Sequence, residues 1–343
     1  MIELKNDSLV FSFPDVHPDA KVSINFQRTL RIPDDKNTYP LPPGLGTFPL
    51  KQVDDYSVPP NWEKHGGVML PMYQSEAMWL NFSTSYINDR GTAYPFAIKV
   101  ATGKIDALTG RSWEDSLNRK PQDYMVSTKQ PWLDGYCVDK NIIRQFVAMP
   151  LGSGYSAEEQ VTGEAEHGGL QIIVYPMKRE IFEKRFPKIE LVRKSQIMYQ
   201  MAAPAPCESI AKSVSFDMGL APGGKMHQEI YEDPFNFNDW DQNTNSRSFI
   251  HIANSLVWRA ITGNNPPTTP FTAKEYTNNG FPWFEYYDDN SESIDGSSIL
   301  SKLKSIIQKG NDKGENPLPE NTAVNPENIK KIMTKNQVRE GTF

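Results

Sequence analysis

Prolines and glycines divide this chain into short segments, with 27 Pro and 22 Gly among 343 residues. In residues 32–60 the runs TYPLPPGLGTFPL and SVPP are too rich in both for a helix, because proline lacks an amide proton and clashes with the preceding turn. Elsewhere apolar and polar residues alternate, as at Leu9, Phe11 and Phe13. A period of two is typical of strands with one buried face.

The sequence therefore predicts a β-rich α+β fold, with antiparallel, sandwich-like sheets and a few short helices. A capped helical turn is expected after Ser156, a helix over residues 249–261, and another short helix capped by Thr272. Residues 213–231 predict two strands joined by a turn at Pro-Gly-Gly.

Length alone favours about two domains. The run Ala-Ala-Pro-Ala-Pro ending at residue 206 is the best candidate for a boundary. We expect a β-rich body with a Pro-rich wrapping loop over residues 1–200, and a hairpin and helix region packed on it over 201–290. Aromatic residues almost vanish after residue 288, so 291–343 is expected to be a polar, partly disordered tail that leaves the fold intact when deleted.

Charge and hydropathy exclude several classes of protein. The net charge of −6 excludes a generally basic protein that coats nucleic acid, although a local basic patch stays compatible with it. Two cysteines seventy positions apart exclude a disulfide scaffold and a cysteine-rich zinc site. No signal peptide is readable at the start, and the longest apolar stretch, residues 170–177, is too short for a membrane span. We expect a cytoplasmic protein without a membrane span, with export by an unrecognised route left open.

Several segments between residues 28 and 289 resemble an uncharacterised protein family of bacteria and fungi. They include TYPLPPGLG, HGGVMLPMYQSEAMWL, RQFVAMPLGSGY, HGGLQI and MGLAPGGKMHQEIYED. Members carry labels such as hypothetical protein or integral membrane protein, and the second label does not fit the hydropathy of this chain. The resemblance implies one unit over about residues 28–289 with a separate tail, and it supplies no catalytic residue.

Two His-Gly-Gly motifs, beginning at His65 and His167, each precede an apolar run. Such loops can form oxyanion holes in α/β hydrolases, but the G-x-S-x-G elbow that this mechanism needs is missing from the sequence. A tight turn with glycine at positive φ before a strand explains the motif more simply.

Three further groups are candidate binding residues. Glu164 lies in an acidic cluster with His167, where carboxylates could shift the pKa of the imidazole or could simply be solvated. His227 and Glu229 are two positions apart, so on a strand they point to the same face, where they could form a polar site with Asp217 or a solvated charge pair. Tryptophans beside carboxylates suit sugars or cationic ligands, and they also suit ordinary core edges. These residues are Trp132, Asp134 and Trp240.

Asp239, Asp241 and Asn243 recur at every second position, as the oxygen ligands of a calcium loop do. The EF-hand pattern fails, because Thr244 and Ile250 occupy the positions that require glycine and glutamate. A looser site for a divalent cation and an Asx-rich turn are the two interpretations. We predict no other cofactor.

The expected function is non-catalytic binding of an unknown protein or small-molecule ligand, because no complete catalytic or cofactor motif is present. A hydrolase with a histidine–carboxylate or divalent-cation site is the first alternative, and a self-assembling structural protein is the second. Nucleic acid is not an expected partner, and oligomerisation stays open.

Overall fold

The computed structural model describes residues 1–189, 217–288, 291–318, 326 and 328–332. Its strands are β1 (Ile2–Lys5), β2 (Ser8–Ser12), β3 (Lys21–Thr29), β4 (Thr38–Tyr39), β5 (Gly44–Thr47), β6 (Lys51–Gln52), β7 (Val68–Pro71), β8 (Ala77–Thr84), β9 (Tyr86–Ile87), β10 (Thr92–Ala93), β11 (Phe96–Thr102), β12 (Ile105–Asp106), β13 (Met125–Val126), β14 (Trp132–Leu133), β15 (Gly135–Asp139), β16 (Ile142–Pro150), β17 (Leu170–Pro176), β18 (Met218–His227), β19 (Ser246–Ala253), β20 (Trp283–Tyr286) and β21 (Ile329–Ile332). The α-helices are α1 (Pro60–His65), α2 (Ala157–Thr162), α3 (Arg179–Arg185), α4 (Ser255–Thr262), α5 (Ala273–Asn278) and α6 (Ile306–Lys313).

Most of the strands belong to two sheets. Sheet 1 has the order β1-β2-β3-β8-β16-β18-β4, with β14 paired to β8, β15 to β16 and β5 to β3. Sheet 2 has the order β12-β11-β17-β19-β7-β6, with β13 paired to β11. Pairing is mainly antiparallel, and β7 with β19 and β4 with β18 are parallel. Two short ribbons, β9-β10 and β20-β21, complete the strands.

One hydrophobic cluster joins the two sheets. It includes Ile24 and Leu80 from sheet 1 and Ile98 and Val174 from sheet 2, all fully buried. The alternating burial along β3 places its apolar residues toward this cluster, as the period of two predicted. The β-rich α+β class with a few short helices is confirmed.

The Pro-rich segment 32–60 docks on the body through its apolar residues. Tyr39, Leu41, Phe48 and Leu50 are buried, and β4, β5 and β6 attach the segment to the sheets at three places. These anchors offset the entropy of ordering a segment whose described residues form no α-helix before residue 60.

The short capped helices form where the local sequence predicted them. Ser156 caps α2 and Thr272 caps α5, and in each case the carboxylate of a glutamate three residues later accepts from the amide of the capping residue. The helix predicted over residues 249–261 is wrong in its first half. Residues up to Ala253 belong to strand β19, and α4 begins only after Asn254, whose side chain accepts from two helix amides.

The hairpin predicted around Pro-Gly-Gly is also wrong, because β18 runs through this tripeptide without turning. A Cβ on Gly223 would lie 2.6 Å from Val147 Cγ2, and one on Gly224 would lie 2.4 Å from the carbonyl oxygen of Pro33. The glycines therefore serve the close approach of neighbouring backbone and side chains, which the sequence pattern cannot distinguish from a turn.

Residues 291–318 are not a loose tail. Leu300 is fully buried in the main core cluster, and Leu303 joins it. Ile306 at the start of α6 packs with Leu318 in a smaller cluster. The expectation that everything after residue 290 lies outside the core fails here, because a few well-spaced apolar side chains are enough to dock a polar segment.

The boundary predicted near residue 200 lies outside the described residues. On either side of it, the described segments share both sheets: β18 pairs with β16 in sheet 1, and β19 lies between β17 and β7 in sheet 2. Among the residues described, no helix is long and apolar enough to cross a membrane.

Candidate functional site

The two His-Gly-Gly motifs meet on opposite sides of strand β19. The first leads into β7, which pairs parallel to β19, and the second leads into β17, which pairs antiparallel to it. Val68 and Leu170, the first residues of these strands, are both in register with Ile250. Sheet pairing therefore brings two loops about a hundred positions apart in sequence to the same level of the same strand.

Glycine is required at this junction because the loops press against the backbone of β19. A Cβ on Gly67 would lie 2.2 Å from the carbonyl oxygen of Phe249, and one on Gly169 would lie 2.4 Å from that of Ile250. Both glycines have positive φ, +88° and +53°, as a tight turn before a strand requires.

The histidines of the two motifs face each other across the junction. The rings of His65 and His167 are arranged edge to face, with centroids 6.4 Å apart. His65 Nδ1 lies 2.7 Å from the carbonyl oxygen of Asn61, which can only accept, so Nδ1 donates and the neutral ring keeps a lone pair on Nε2. Burial and the Lys104 charge lower the pKa of His167, against the raising effect of Glu166, whose carboxylate is 3.3 Å from Nε2.

A third histidine, His251 on β19, lies beneath the loops. Its ring stacks on Trp62 with centroids 4.8 Å apart, and its Nε2 donates to the carbonyl oxygen of Gly66 at 3.0 Å. Burial lowers its pKa to about 4, so it is neutral near pH 7. No sequence pattern singles out this residue, because the spacing over residues 249–261 predicts a helix.

These three imidazoles line one cavity of about 400 Å³, which we call the imidazole cleft. Lys64, Lys104 and Arg247 also line it, and no lining residue among those described is acidic. Positive side chains thus gather at one place on a chain whose net charge is −6.

Glu158 on α2 holds the His167 loop in place through hydrogen bonds to its backbone amides. This carboxylate is buried, and its Oε2 accepts from the amides of Gly168 at 3.0 Å and His167 at 3.4 Å. Burial raises its pKa, and the two amide bonds oppose that rise. Glu164, predicted as a binding residue, is exposed and lies outside the cleft lining.

Trp132 and Asp134 come together in a separate apolar cavity of about 240 Å³ on sheet 1. The sequence pattern identified both residues, and Phe284 belongs to a further aromatic run with a carboxylate, residues 282–287, but no pattern identified Trp79, which completes the lining from a distant segment.

His227 and Glu229 do not form a site with Asp217. His227 is exposed at the end of β18, whereas Asp217 lies just before its first residue and accepts from the indole of Trp62 at 2.9 Å. The proposed convergence depended on a hairpin, and a continuous strand of ten residues holds the two ends apart.

Trp240 is a core residue, 1 % exposed, whose indole donates to the buried carboxylate of Asp233 at 2.8 Å. Next to it, Asp239 Oδ2 accepts from Arg185 at 2.6 Å. Asp241 Oδ1 accepts from the amides of Asn243 and Thr244. These are the bonds of an Asx-rich turn, and the described residues contain no group of three or more His, Cys, Asp or Glu that could hold a metal ion.

The most voluminous of the cavities we describe, about 490 Å³, lies between the loop around Pro121 and residues 294–299. Its lining mixes both signs of charge. Arg119 already donates to Asp233 and to the carbonyl oxygen of Phe235, so this cation is engaged within the protein. The cavity offers less unbalanced charge than the imidazole cleft.

Beside this cavity a small buried cluster contains Lys99, Asp106 and Asp123. Lys99 is paired with Asp123 at 2.8 Å, and Asp106 Oδ2 has no hydrogen-bond partner among the described residues. Burial, with the Asp123 charge second, raises the pKa of Asp106 to about 7. The associated cavity measures only about 70 Å³, which leaves room for little more than water.

Comparison with known proteins does not identify this cleft or the protein that contains it. A scan against protein-family models finds no match to the chain. Neither the curated proteins nor the solved structures contain a match. The case for a function therefore depends on the side chains of the cleft.

Proposed function

We propose that this protein binds a small anion, bearing carboxylate or phosphate groups, in the imidazole cleft. The observation that carries the proposal is the composition of the lining: three cations and three imidazoles surround about 400 Å³ with no acidic residue among them. An anion would receive charge-assisted hydrogen bonds from the rim and would be drawn in by the local field.

The imidazoles can adapt to such a ligand. His65 and His167 are both accessible to solvent, and each imidazole gains a second N–H donor, at Nε2 in the case of His65, when it takes up a proton. Because burial and Lys104 lower the pKa of His167, a bound negative charge would raise that pKa and favour protonation. Binding is therefore expected to strengthen as the pH falls from 8 to 6.

The cationic side chains of the cleft differ in whether they already have an acidic partner within the protein. Lys104 is exposed at the mouth of the cleft. Arg247 donates to Asp115 Oδ1 at 2.8 Å, and the indole of Trp113 donates to the same oxygen at 2.8 Å. Asp115 is itself largely exposed, so an anion in the cleft can compete for Arg247 without breaking a buried pair.

The hydrolase alternative requires a histidine that shares a concave site with a carboxylate from a distant segment. The acidic residues that contact the loop of His167 are Glu158 and Glu166, which belong to its own segment, and neither lines the cleft. Hydrolysis and self-assembly both remain predictions without a specific observation in their favour.

Isothermal titration at low salt tests the proposal, with inorganic phosphate and citrate as probes and glycerol as an uncharged control. We expect saturable binding of an anion at pH 6, weaker binding at pH 8, and none of glycerol. Lys104→Gln and Arg247→Gln should each weaken binding about three- to fivefold, as the loss of one exposed charge contact would.

The matched control is Lys140→Gln, which removes an exposed lysine at the turn between β15 and β16, outside the cleft lining. This variant should bind like the unaltered protein. The proposal fails if neither anion binds, or if all three variants weaken binding equally, since that result would show an effect of net charge alone.

A further inference from the structure

The second cavity, on sheet 1, has the opposite character. We call it the aromatic pocket, and its walls are formed by Trp79 of β8, Trp132 of β14, Phe284 of β20, Leu41, Pro43 and Asp134. Asp134 is the one charged side chain among its described lining residues. From this arrangement we propose that the aromatic pocket binds a small molecule carrying a quaternary ammonium group.

The aromatic walls have the geometry that a soft cation needs. Trp79 and Trp132 are set edge to face with centroids 6.4 Å apart, and Tyr286 supports Trp132 from behind at 4.9 Å. Each of the three lining rings, from Trp79, Trp132 and Phe284, is only partly buried. Tryptophan faces attract cations more strongly than the other aromatic side chains do.

The pocket is a mainly apolar cavity that opens at the protein surface. The cavity of about 240 Å³ corresponds to roughly eight water molecules, and its walls offer water almost no partners. The indole Nε1 of Trp79 is buried without a hydrogen-bond partner among the described residues. Because the cavity opens to solvent and its walls are mainly apolar, a ligand that fills it removes apolar surface from water.

Asp134 supplies the charge complement. Its side chain is 2 % exposed and accepts one hydrogen bond, from Gln228 Nε2 at 2.8 Å. Burial raises the pKa of Asp134 to about 7, with the Gln228 bond opposing the rise. A cation beside the carboxylate would stabilise its ionised form, which the empty pocket holds only at a cost.

The lack of further acceptors selects among cations. A primary ammonium or a guanidinium needs three or more acceptors to replace its water, and the described lining includes a single acidic residue and little polar surface. A quaternary ammonium has no N–H to satisfy and is weakly hydrated. A sugar fits less well, because its hydroxyl groups would lack partners.

The pocket keeps its shape through neighbouring backbone contacts. Leu41 and Phe284 exchange two backbone hydrogen bonds, of 2.9 and 2.8 Å, which hold the Pro-rich segment against β20. Gly44 lies so close to Trp79 that a Cβ there would be 3.1 Å from Cζ2 of the indole. The walls are therefore placed before any ligand arrives.

The test compares choline with 3,3-dimethyl-1-butanol, its uncharged counterpart of the same shape, by calorimetry and by tryptophan fluorescence at pH 8. We expect choline to bind at least about tenfold more tightly than the alcohol. Asp134→Asn should weaken choline binding at least about tenfold at pH 8, and much less at pH 5, where Asp134 is protonated in the unaltered protein.

Asp139→Asn is the matched control, because Asp139 is an exposed acid at the end of β15 and does not line the pocket. It should leave choline binding unchanged. Equal affinity for choline and the alcohol would overturn the proposal, since the site would then be only apolar. Absence of saturable choline binding up to about 20 mM would overturn it as well. Neither outcome bears on anion binding in the imidazole cleft.

Discussion

The imidazole cleft and the aromatic pocket lie on different sheets, and different parts of the chain set their shapes. In the cleft the backbone sets the shape, because Gly67 and Gly169 lie in close contact with β19. The positions of the two loops and of β19 then bring the three histidines together. In the aromatic pocket the indole side chains of Trp79 and Trp132 form the walls, and backbone hydrogen bonds between Leu41 and Phe284 hold the neighbouring segments in place. Cationic side chains line the cleft, whereas the described lining of the pocket includes one charged residue, Asp134.

The two regions are expected to respond to pH in opposite ways, because one contains a buried acid and the other a buried histidine. Burial raises the pKa of Asp134 in the pocket to about 7, so its ionisation opposes folding as the pH rises. Burial lowers the pKa of His251 in the cleft to about 4, so its protonation opposes folding as the pH falls. Burial disfavours the charged form of each group, and a ligand of the complementary charge would reduce that cost.

Adding a methyl group to the glycine junction is expected to give the largest effect. Gly67→Ala places a Cβ 2.2 Å from the Phe249 carbonyl oxygen at φ +88° and should destabilise the protein by about 2–5 kcal/mol. Gly66→Ala is the control, because that position also has positive φ but no atom within 4 Å of the added Cβ. Urea unfolding measures both variants. Equal losses would show that φ alone, and not the close approach to β19, requires the glycine.

Asp134→Asn tests the pocket's response to pH. In the unfolded chain this carboxyl ionises near its ordinary pKa of 3.8, while the folded protein keeps the proton up to about pH 7. The unaltered protein should therefore lose stability relative to the variant as the pH rises from 4 to 7, by about 4 kcal/mol at most, with a plateau above. Urea unfolding at several pH values gives this difference. A difference that does not change with pH would contradict the raised pKa.

His251→Gln tests the cleft with the opposite sign. The unfolded histidine takes a proton near pH 6.5 and the folded one only near 4, so the unaltered protein should lose up to about 3 kcal/mol relative to the variant as the pH falls through this window. The glutamine amide can still donate to Gly66. A constant loss from the missing contact with Trp62 would appear at every pH, and the slope distinguishes the two contributions.

The smallest effect is expected from a deletion that changes the aromatic pocket and leaves the imidazole cleft intact. Deleting residues 319–343 removes Ile332 from the aromatic pocket and leaves Leu300 and Leu318 in place. We expect choline binding to weaken a few-fold, phosphate binding to stay unchanged, and stability to fall by less than about 1 kcal/mol, since β21 is exposed throughout. A loss of phosphate binding would show that the two regions are coupled.

Local features of this fold could be predicted from the sequence, and the convergence of distant segments could not. The caps at Ser156 and Thr272 follow from side chains within four residues of each other. The glycines of β18 could not be read in the same way, because glycine serves a turn and a close approach equally well. His251 joins the cleft only through the pairing of β19 with β7 and β17, which no local pattern encodes.

Titration of the histidine ring protons by NMR, with and without inorganic phosphate, tests the anion-binding cleft most directly. The chain has five histidines, which act as separate probes. Phosphate should shift the signals of His65, His167 and His251 and raise the lowered pKa of His167, while His17 and His227 stay unchanged. Shifts of similar size at all five rings, or at none of the three in the cleft, would contradict the account.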